Sequence, residues 1–182
     1  MFKKINPFFS GIAILIVIGI IMLLPLDKLI TEQDFSSFQV EYIILAIKMF
    51  LIFSFSLLLI KRLNEKALSG ISSRYKWSYR YLNLIPFYLF LLGILGFVNK
   101  DLSSTDFNNV ALLLIACQLV GFAEEFVFRG YLQPVFLKKY ISHDGGVFLG
   151  VLFPAIFFGA SHLLNLTVND NVPQVIGQSI YA

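Results

Sequence analysis

Between Phe8 and Leu26 the chain carries no charged residue. As a helix this stretch is about 28 Å long, close to the hydrocarbon thickness of a bilayer. In lipid there is no water to satisfy a backbone N–H or C=O, so such a segment can span only as a helix. The pattern recurs along the chain. Tyr42–Ile60 is a second apolar stretch, broken only by Lys48, and Leu82–Val98 is a third, with Pro86 near its start. A fourth begins near Phe107, behind Ser103, Ser104, Thr105 and Asp106, which offer N-cap side chains. A fifth begins near Gly146 and runs past His162. Asn165–Gln174 then reads as a polar loop with a proline stop, and Val175–Ala182 as the start of a sixth helix. The expectation is an all-α polytopic membrane helix bundle, a single domain over residues 1–182, with about five spans and a partial sixth.

Composition agrees with this reading. A chain of 182 residues that is 58% hydrophobic and 14% charged, with mean hydropathy +0.80, has more apolar surface than a soluble fold of this size can cover. No small-x-small cleavage site follows the first run, so it reads as a retained anchor rather than a cleaved signal. Cys117 is the only cysteine, which excludes an intrachain disulfide. CxxC, HExxH, Walker and GxGxxG patterns are absent.

The net charge of +3 matters less than where the cations sit. Lys3 and Lys4 precede the first run. Lys61, Arg62, Lys66, Arg74, Lys76 and Arg80 separate the second from the third, and Lys138 and Lys139 separate the fourth from the fifth. All of these fall on one side, against Lys28 and Lys100 on the other. The positive-inside rule places the N-terminus and the basic loops in the cytoplasm. Ser73–Leu82 mixes cations with Trp77 and tyrosines, which reads as an interfacial belt on anionic lipid rather than a nucleic-acid surface. Lys48 is expected to snorkel to the outer interface.

Three charges remain on the fourth helix. Residues 121–130 read GFAEEFVFRG. A charge inside a bilayer costs several kcal/mol, about 3 on insertion scales, so each one demands an account. Glu125 and Arg129 are spaced i,i+4 with the glutamate first, the favourable orientation for an ion pair. Glu124 points about 100° away from Glu125 and has Phe128, not a cation, at i+4. One carboxylate is therefore paired and one is not. An unpaired glutamate in a low-dielectric site beside a like charge is suited to take and release a proton near neutral pH. On the fifth helix, Phe158 and His162 are again i,i+4. Counted along antiparallel helices, Glu124 lies about 21 Å above Lys138 and His162 about 25 Å above Gly145, so the two reach similar depth. That count carries the fourth helix through Pro134, whose ring presses on the Gly130 carbonyl and predicts a kink. The plainer readings are a Glu–Arg pair that only locks helices and a histidine that is only a satisfied core residue.

Glu124, Glu125 and Arg129 as E-E-x-x-x-R, followed one helix later by Phe158 and His162 as F-x-x-x-H, resemble the CAAX protease and bacteriocin-processing family of intramembrane proteases. The resemblance covers Val110 to Asn165, within a motif region of about 107–165. It implies that Glu124 activates the attacking water and that His162 holds this water, or a metal, beside it. Glu125 and Arg129 would organise the site, and Phe158 would support His162. It also implies a third motif, a histidine with an asparagine four residues on, as oxyanion stabiliser; this is not found. Asn165, three residues after His162, is the nearest substitute donor. The expectation is a truncated chain whose residues 1–182 are not by themselves a competent protease, with a tail that frays or lies at the outer surface.

The function expected is endopeptidase hydrolysis of a membrane-associated peptide or protein by glutamate- and histidine-activated water, in CAAX-type or bacteriocin-related processing. Ser161 neighbours His162 but points about 100° away, a poor nucleophile–base pair. Catalytic zinc normally takes three protein ligands. Glu124 and His162 supply two, and Glu125 would have to leave Arg129 to be the third. Charge and count favour metal-free water activation, with zinc the alternative and the family's metalloprotease label pointing to it. Two other classes stay open: a non-catalytic immunity or scaffold protein keeping the motif as structure, and a transporter or proton relay. Richness in Phe, Ile and Asn points to a bacterial cell membrane. The partners implied are membrane lipid and a membrane-associated peptide, not nucleic acid.

Overall fold

A computed structural model describes residues 6–30, 35–63, 66–69, 84, 87, 88, 91, 106–167 and 169–181. Among the described residues every regular element is helical. The expected third span, Leu82–Val98, lies outside them apart from Leu84, Phe87, Tyr88 and Leu91, as do the Ser73–Leu82 belt and several of the loop cations.

Helix α1 is Pro7–Met22. Asn6 caps it by accepting the Phe8 N–H at 3.2 Å, and Pro7 sits where a missing N–H costs nothing. It stops short of the expected Leu26 because Pro25 follows. A residue before proline is driven out of the helical region, and the chain re-forms only as a 3-10 turn over Leu26–Leu29. Helix α2, Ser37–Arg62, is longer at both ends than the apolar stretch inside it. A capping box starts it: Gln39 N–H donates to Ser36 Oγ at 3.3 Å and Ser36 N–H to Gln39 Oε1 at 3.1 Å. Lys61 and Arg62 face the negative end of its dipole.

Helix α3 is Phe107–Glu124, with Asp106 accepting the Asn108 N–H at 3.0 Å. It continues without a break into a π-helical segment, Glu125–Leu132, and then helix α4, Gln133–Tyr140. Gly145, in the left-handed region at φ 69°, turns the chain into helix α5, Gly146–His162. Past His162 the helix tightens to a 3-10 turn, Leu163–Thr167, and helix α6, Val172–Tyr181, follows.

Gln39 Nε2 donates to Asn109 Oδ1 at 2.9 Å. Both residues belong to the first turns of their helices, so α2 and α3 run parallel, side by side. α4 and α5 form a tight antiparallel pair, with α1 against α5 and the π segment. Where they meet, Ile14, Ile52, Ala123, Val127, Phe128, Leu132 and Phe136 form the buried core. Its floor is aromatic: Phe8 meets Phe136 at 5.2 Å and Phe153 at 4.8 Å, both edge to face. The outward faces stay apolar, with Ile16, Phe50, Leu58, Ile115 and Phe148 exposed. Four helical stretches among the described residues are long and apolar enough to cross a membrane: Pro7–Lys28, Ser37–Arg62, Phe107–Tyr140 and Gly146–Thr167.

Lys48 reaches toward the end of α1, where its Nζ donates to the Met22 carbonyl at 2.6 Å. The last carbonyls of a helix have no partner within it and carry partial negative charge. The ammonium thus closes the end of α1 and is not merely carried to the interface. Lys48→Met is expected to lower stability by about 1–2 kcal/mol, read as a lower thermal midpoint in detergent. An unchanged midpoint would reduce Lys48 to a snorkelling side chain.

Candidate active site

Pro134 has no N–H to give to the Gly130 carbonyl, and its ring crowds that oxygen. The strain expected as a kink at this point is taken up upstream by widening the helix. Glu125–Leu132 is π-helical, and the Gln133 N–H bonds to the Phe128 carbonyl, five residues back. Such bulges are frequent at functional sites because they turn side chains out of the α-helical register. Here the widened segment begins at Glu125, directly after Glu124.

Glu124, the last residue of α3, is half-buried and faces a cavity of about 280 Å³. His162, the last residue of α5, faces the same cavity and is also half-buried. The two side chains whose depths were matched by counting residues therefore meet one space. Ile18 and Met22 of α1, Leu45, Met49 and Ile52 of α2, and Val120, Ala123, Val127 and Phe128 form its apolar walls. Ser161, Asn165 and Gln178 supply the remaining polar lining. Ser161 does face the cavity, but its hydroxyl donates to the Phe158 carbonyl at 2.6 Å, so its proton is committed to its own helix.

Glu125 and Arg129 stand apart from this cavity. Their ion pair forms, as the i,i+4 spacing requires, but both side chains are more than half exposed on the described surface. The link to His162 runs through Phe158. The Arg129 guanidinium carbon lies 5.9 Å from the centre of the Phe158 ring, within cation–π range. Phe158 packs on Phe128 at 4.9 Å and on the His162 ring at 5.0 Å. Glu125, Arg129, Phe158 and His162 thus make a continuous row from the π segment to α5, while Glu124 lines the cavity without joining that row.

Of the two outcomes expected for the tail, fraying is not the one seen. α6 packs along α5, with Val175 fully buried and Ser179 Oγ donating to the Gly159 carbonyl at 2.7 Å. The reason is Gly159: a Cβ there would lie 2.5 Å from the Ser179 carbonyl oxygen, so only glycine permits this approach. The contact brings Gln178 to the cavity. Sequence reasoning missed Gln178 because nothing local marks it. The only hint is that it stands one turn after Val175, on the same face of a short apolar helix.

Among the described residues no three His, Cys, Asp or Glu side chains converge closely enough to hold a metal ion. Glu125, the third donor a zinc site would need beside Glu124 and His162, is turned to Arg129. The described donor set does not fit a catalytic zinc.

Residues 106–182 match the family model for type II CAAX prenyl endopeptidase, Rce1-like. The match bears out the resemblance carried by Glu124, Glu125, Arg129, Phe158 and His162, and it extends through α6. No curated protein and no solved structure matches the chain. The apolar helices and the match together indicate an integral membrane protein.

Proposed function

From a chain whose C-terminal region matches an intramembrane CAAX-protease family, we propose an endopeptidase that cleaves a membrane-associated peptide by activating water between Glu124 and His162. The observation that carries the proposal is that these two groups, from separate helices, face one small cavity whose walls are mostly apolar. A carboxylate and an imidazole facing one mostly apolar cavity can hold a single water. Burial strengthens every charge interaction made there.

The water sits between the Glu124 carboxylate and the His162 ring. As its oxygen bonds to the scissile carbonyl carbon, Glu124 takes its proton. The carbonyl π electrons move to oxygen, giving an oxyanion. When the C–N bond breaks, the proton held on Glu124 passes to the departing nitrogen, leaving a new carboxyl terminus and a new amine. Glu124 ends the cycle ionised. Asn165, three residues beyond His162 and on the same cavity, is the first donor for the oxyanion. The Glu125–Arg129 pair, through Phe158, sets the plane of the His162 ring. The substrate class is a prenylated CAAX-type or bacteriocin-related peptide whose apolar part the Ile18, Met22, Leu45 and Met49 wall accepts.

The test uses full-length protein in detergent with a quenched fluorogenic prenylated CAAX-type peptide, and the same protein in liposomes loaded with a pH dye. Cleavage at one peptide bond without proton flux is expected. Flux without cleavage would replace the peptidase by a proton relay.

The cytoplasmic side is proposed for the N-terminus and the basic loops, on the bias of Lys and Arg. Cysteines at Ser73 and Ser103 in a Cys117→Ala background are expected to label from opposite faces, Ser73→Cys only after permeabilisation. Labelling of Ser73→Cys in intact cells would invert the orientation.

A further inference from the structure

More than a turn and a half from either end, the described spans carry Lys48, Glu124, Glu125 and Arg129 as their only charged side chains. Glu125 and Arg129 pair with each other. That leaves a cation, Lys48, and a carboxylate, Glu124, each without a counter-charge among the described residues. Both belong to one cavity. Leu45, Met49 and Ile52 of α2 line it, and Lys48 stands on the flank of that stripe. Lys48 is half-buried, and its Nζ is held 2.6 Å from the carbonyl of Met22, which lines the cavity from α1. One of the three ammonium N–H groups is used there. The distance to Glu124 follows from register. The offset of 70 between Gln39 and Asn109 recurs where Ile60 meets Gly130, and Phe53 packs on Phe122 and Phe126 between them. Lys48 is thus level with Gln118, less than two turns before Glu124 and about 9 Å from it along the axis.

We infer that Lys48 is a specificity residue of this site, binding a substrate carboxylate two or three residues from the scissile bond. The inference rests on the peptidase reading and deepens it by naming a charged group the substrate brings. A carbonyl dipole does not neutralise an ammonium. A lone cation in a low-dielectric setting is costly, and a carboxylate arriving beside it offsets that cost. The N–H groups not given to Met22 bond the carboxylate oxygens. An extended peptide advances about 3.3–3.6 Å per residue, so three residues cover the interval from Glu124 to Lys48. The carboxylate is either the free C-terminal group of the chain or an Asp or Glu side chain. In both cases it lies away from the reacting atoms and keeps its charge throughout attack. It is therefore held equally in ground and transition states, and its effect falls on KM rather than kcat. Anchoring it at Lys48 also fixes which peptide bond lies between Glu124 and His162.

A plainer role for Lys48 is the tie to Met22 alone. Lys48→Gln keeps a donor for that carbonyl and loses the charge, whereas Lys48→Met loses both. The assay is steady-state cleavage by full-length wild type, both Lys48 variants and Glu124→Gln. The substrate is one quenched prenylated peptide in three forms: a free carboxyl terminus, an amidated terminus, and an amidated terminus with glutamate as the last residue. Comparing the forms on one enzyme cancels any loss of folded protein. Wild type is expected to cleave at least one carboxylate form with KM about 10- to 100-fold below that of the neutral form, at similar kcat. Both Lys48 variants should lose that preference. A preference for the free terminus alone assigns the chain end, one for the glutamate form alone assigns a side chain, and one for both assigns any carboxylate within reach. Equal KM for the three forms in wild type overturns the inference and leaves the peptidase reading standing. So does a preference that survives in Lys48→Gln, or a rise in KM that is the same for all three forms. Wild-type cleavage that is absent, or that survives Glu124→Gln, overturns the peptidase reading and this inference with it.

Discussion

Glu124→Gln should lower kcat for the prenylated peptide by about 10²- to 10⁴-fold, the range supplied by a positioned acid–base group. KM and the thermal midpoint should stay near wild type. The amide matches the carboxyl in shape and still reaches the water, but it cannot accept the water's proton. Folding has little to lose, because Glu124 makes no hydrogen bond or ion pair within the described residues. Glu125→Gln is the matched control. It removes the carboxylate paired with Arg129, and from the sequence alone that change is expected to be costly, because it strands a cation in a low-dielectric site. The pair is more than half exposed on the described surface, but it lies on a stretch long and apolar enough to cross a membrane, where a stranded cation is costly, so a lowered thermal midpoint is expected. The two adjacent glutamates should thus separate cleanly, one in rate and the other in organisation. Near-normal turnover by Glu124→Gln would remove the base from the mechanism.

The contrast between these two neighbours shows what was legible in the chain. That they face different ways follows from helical geometry, and that Glu125 pairs with Arg129 follows from spacing. The helix starts were also readable, since Pro7, the Ser36–Gln39 box and Asp106 act on the backbone within their own first turn. Pro134 announced a disturbance, because its missing N–H is a local fact. The form of the relief was not local. Whether a helix bends at one point or widens over the preceding turns depends on what packs on each side, and here Val127, Phe128, Gly130 and Leu132 are all buried in the widened segment. Gln178 was illegible for the same reason. Its place on the cavity comes from a glycine on another helix and a serine hydroxyl bonded back to that glycine's carbonyl. Neither Gly159 nor Ser179 carries a signal in isolation.

His162→Ala should lower kcat by about 10²- to 10³-fold, less than a lost base because the water is still activated but no longer held. On the proposed mechanism the imidazole works in one plane, and Phe158 is the ring packed against it. That ring lies 5.0 Å from the imidazole and 5.9 Å from the Arg129 guanidinium carbon, with Phe128 packed beside it at 4.9 Å. Phe158→Leu removes an aromatic face from both neighbours while keeping most of the apolar volume. It should cost about tenfold in kcat, because a misplaced catalytic group loses near-attack geometry well before it loses contact. Phe158→Tyr retains the ring and should recover most of the rate, which a residue needed only for apolar volume would not require. In a Glu125→Gln background Arg129 is free to leave the ring, so Phe158→Leu should add little further loss. That non-additivity is the signature of residues acting in one row. Turnover by His162→Ala within threefold of wild type would remove the imidazole from the site. Full additivity of Glu125→Gln and Phe158→Leu would cut the row between Arg129 and His162, leaving the ion pair to hold the π segment alone.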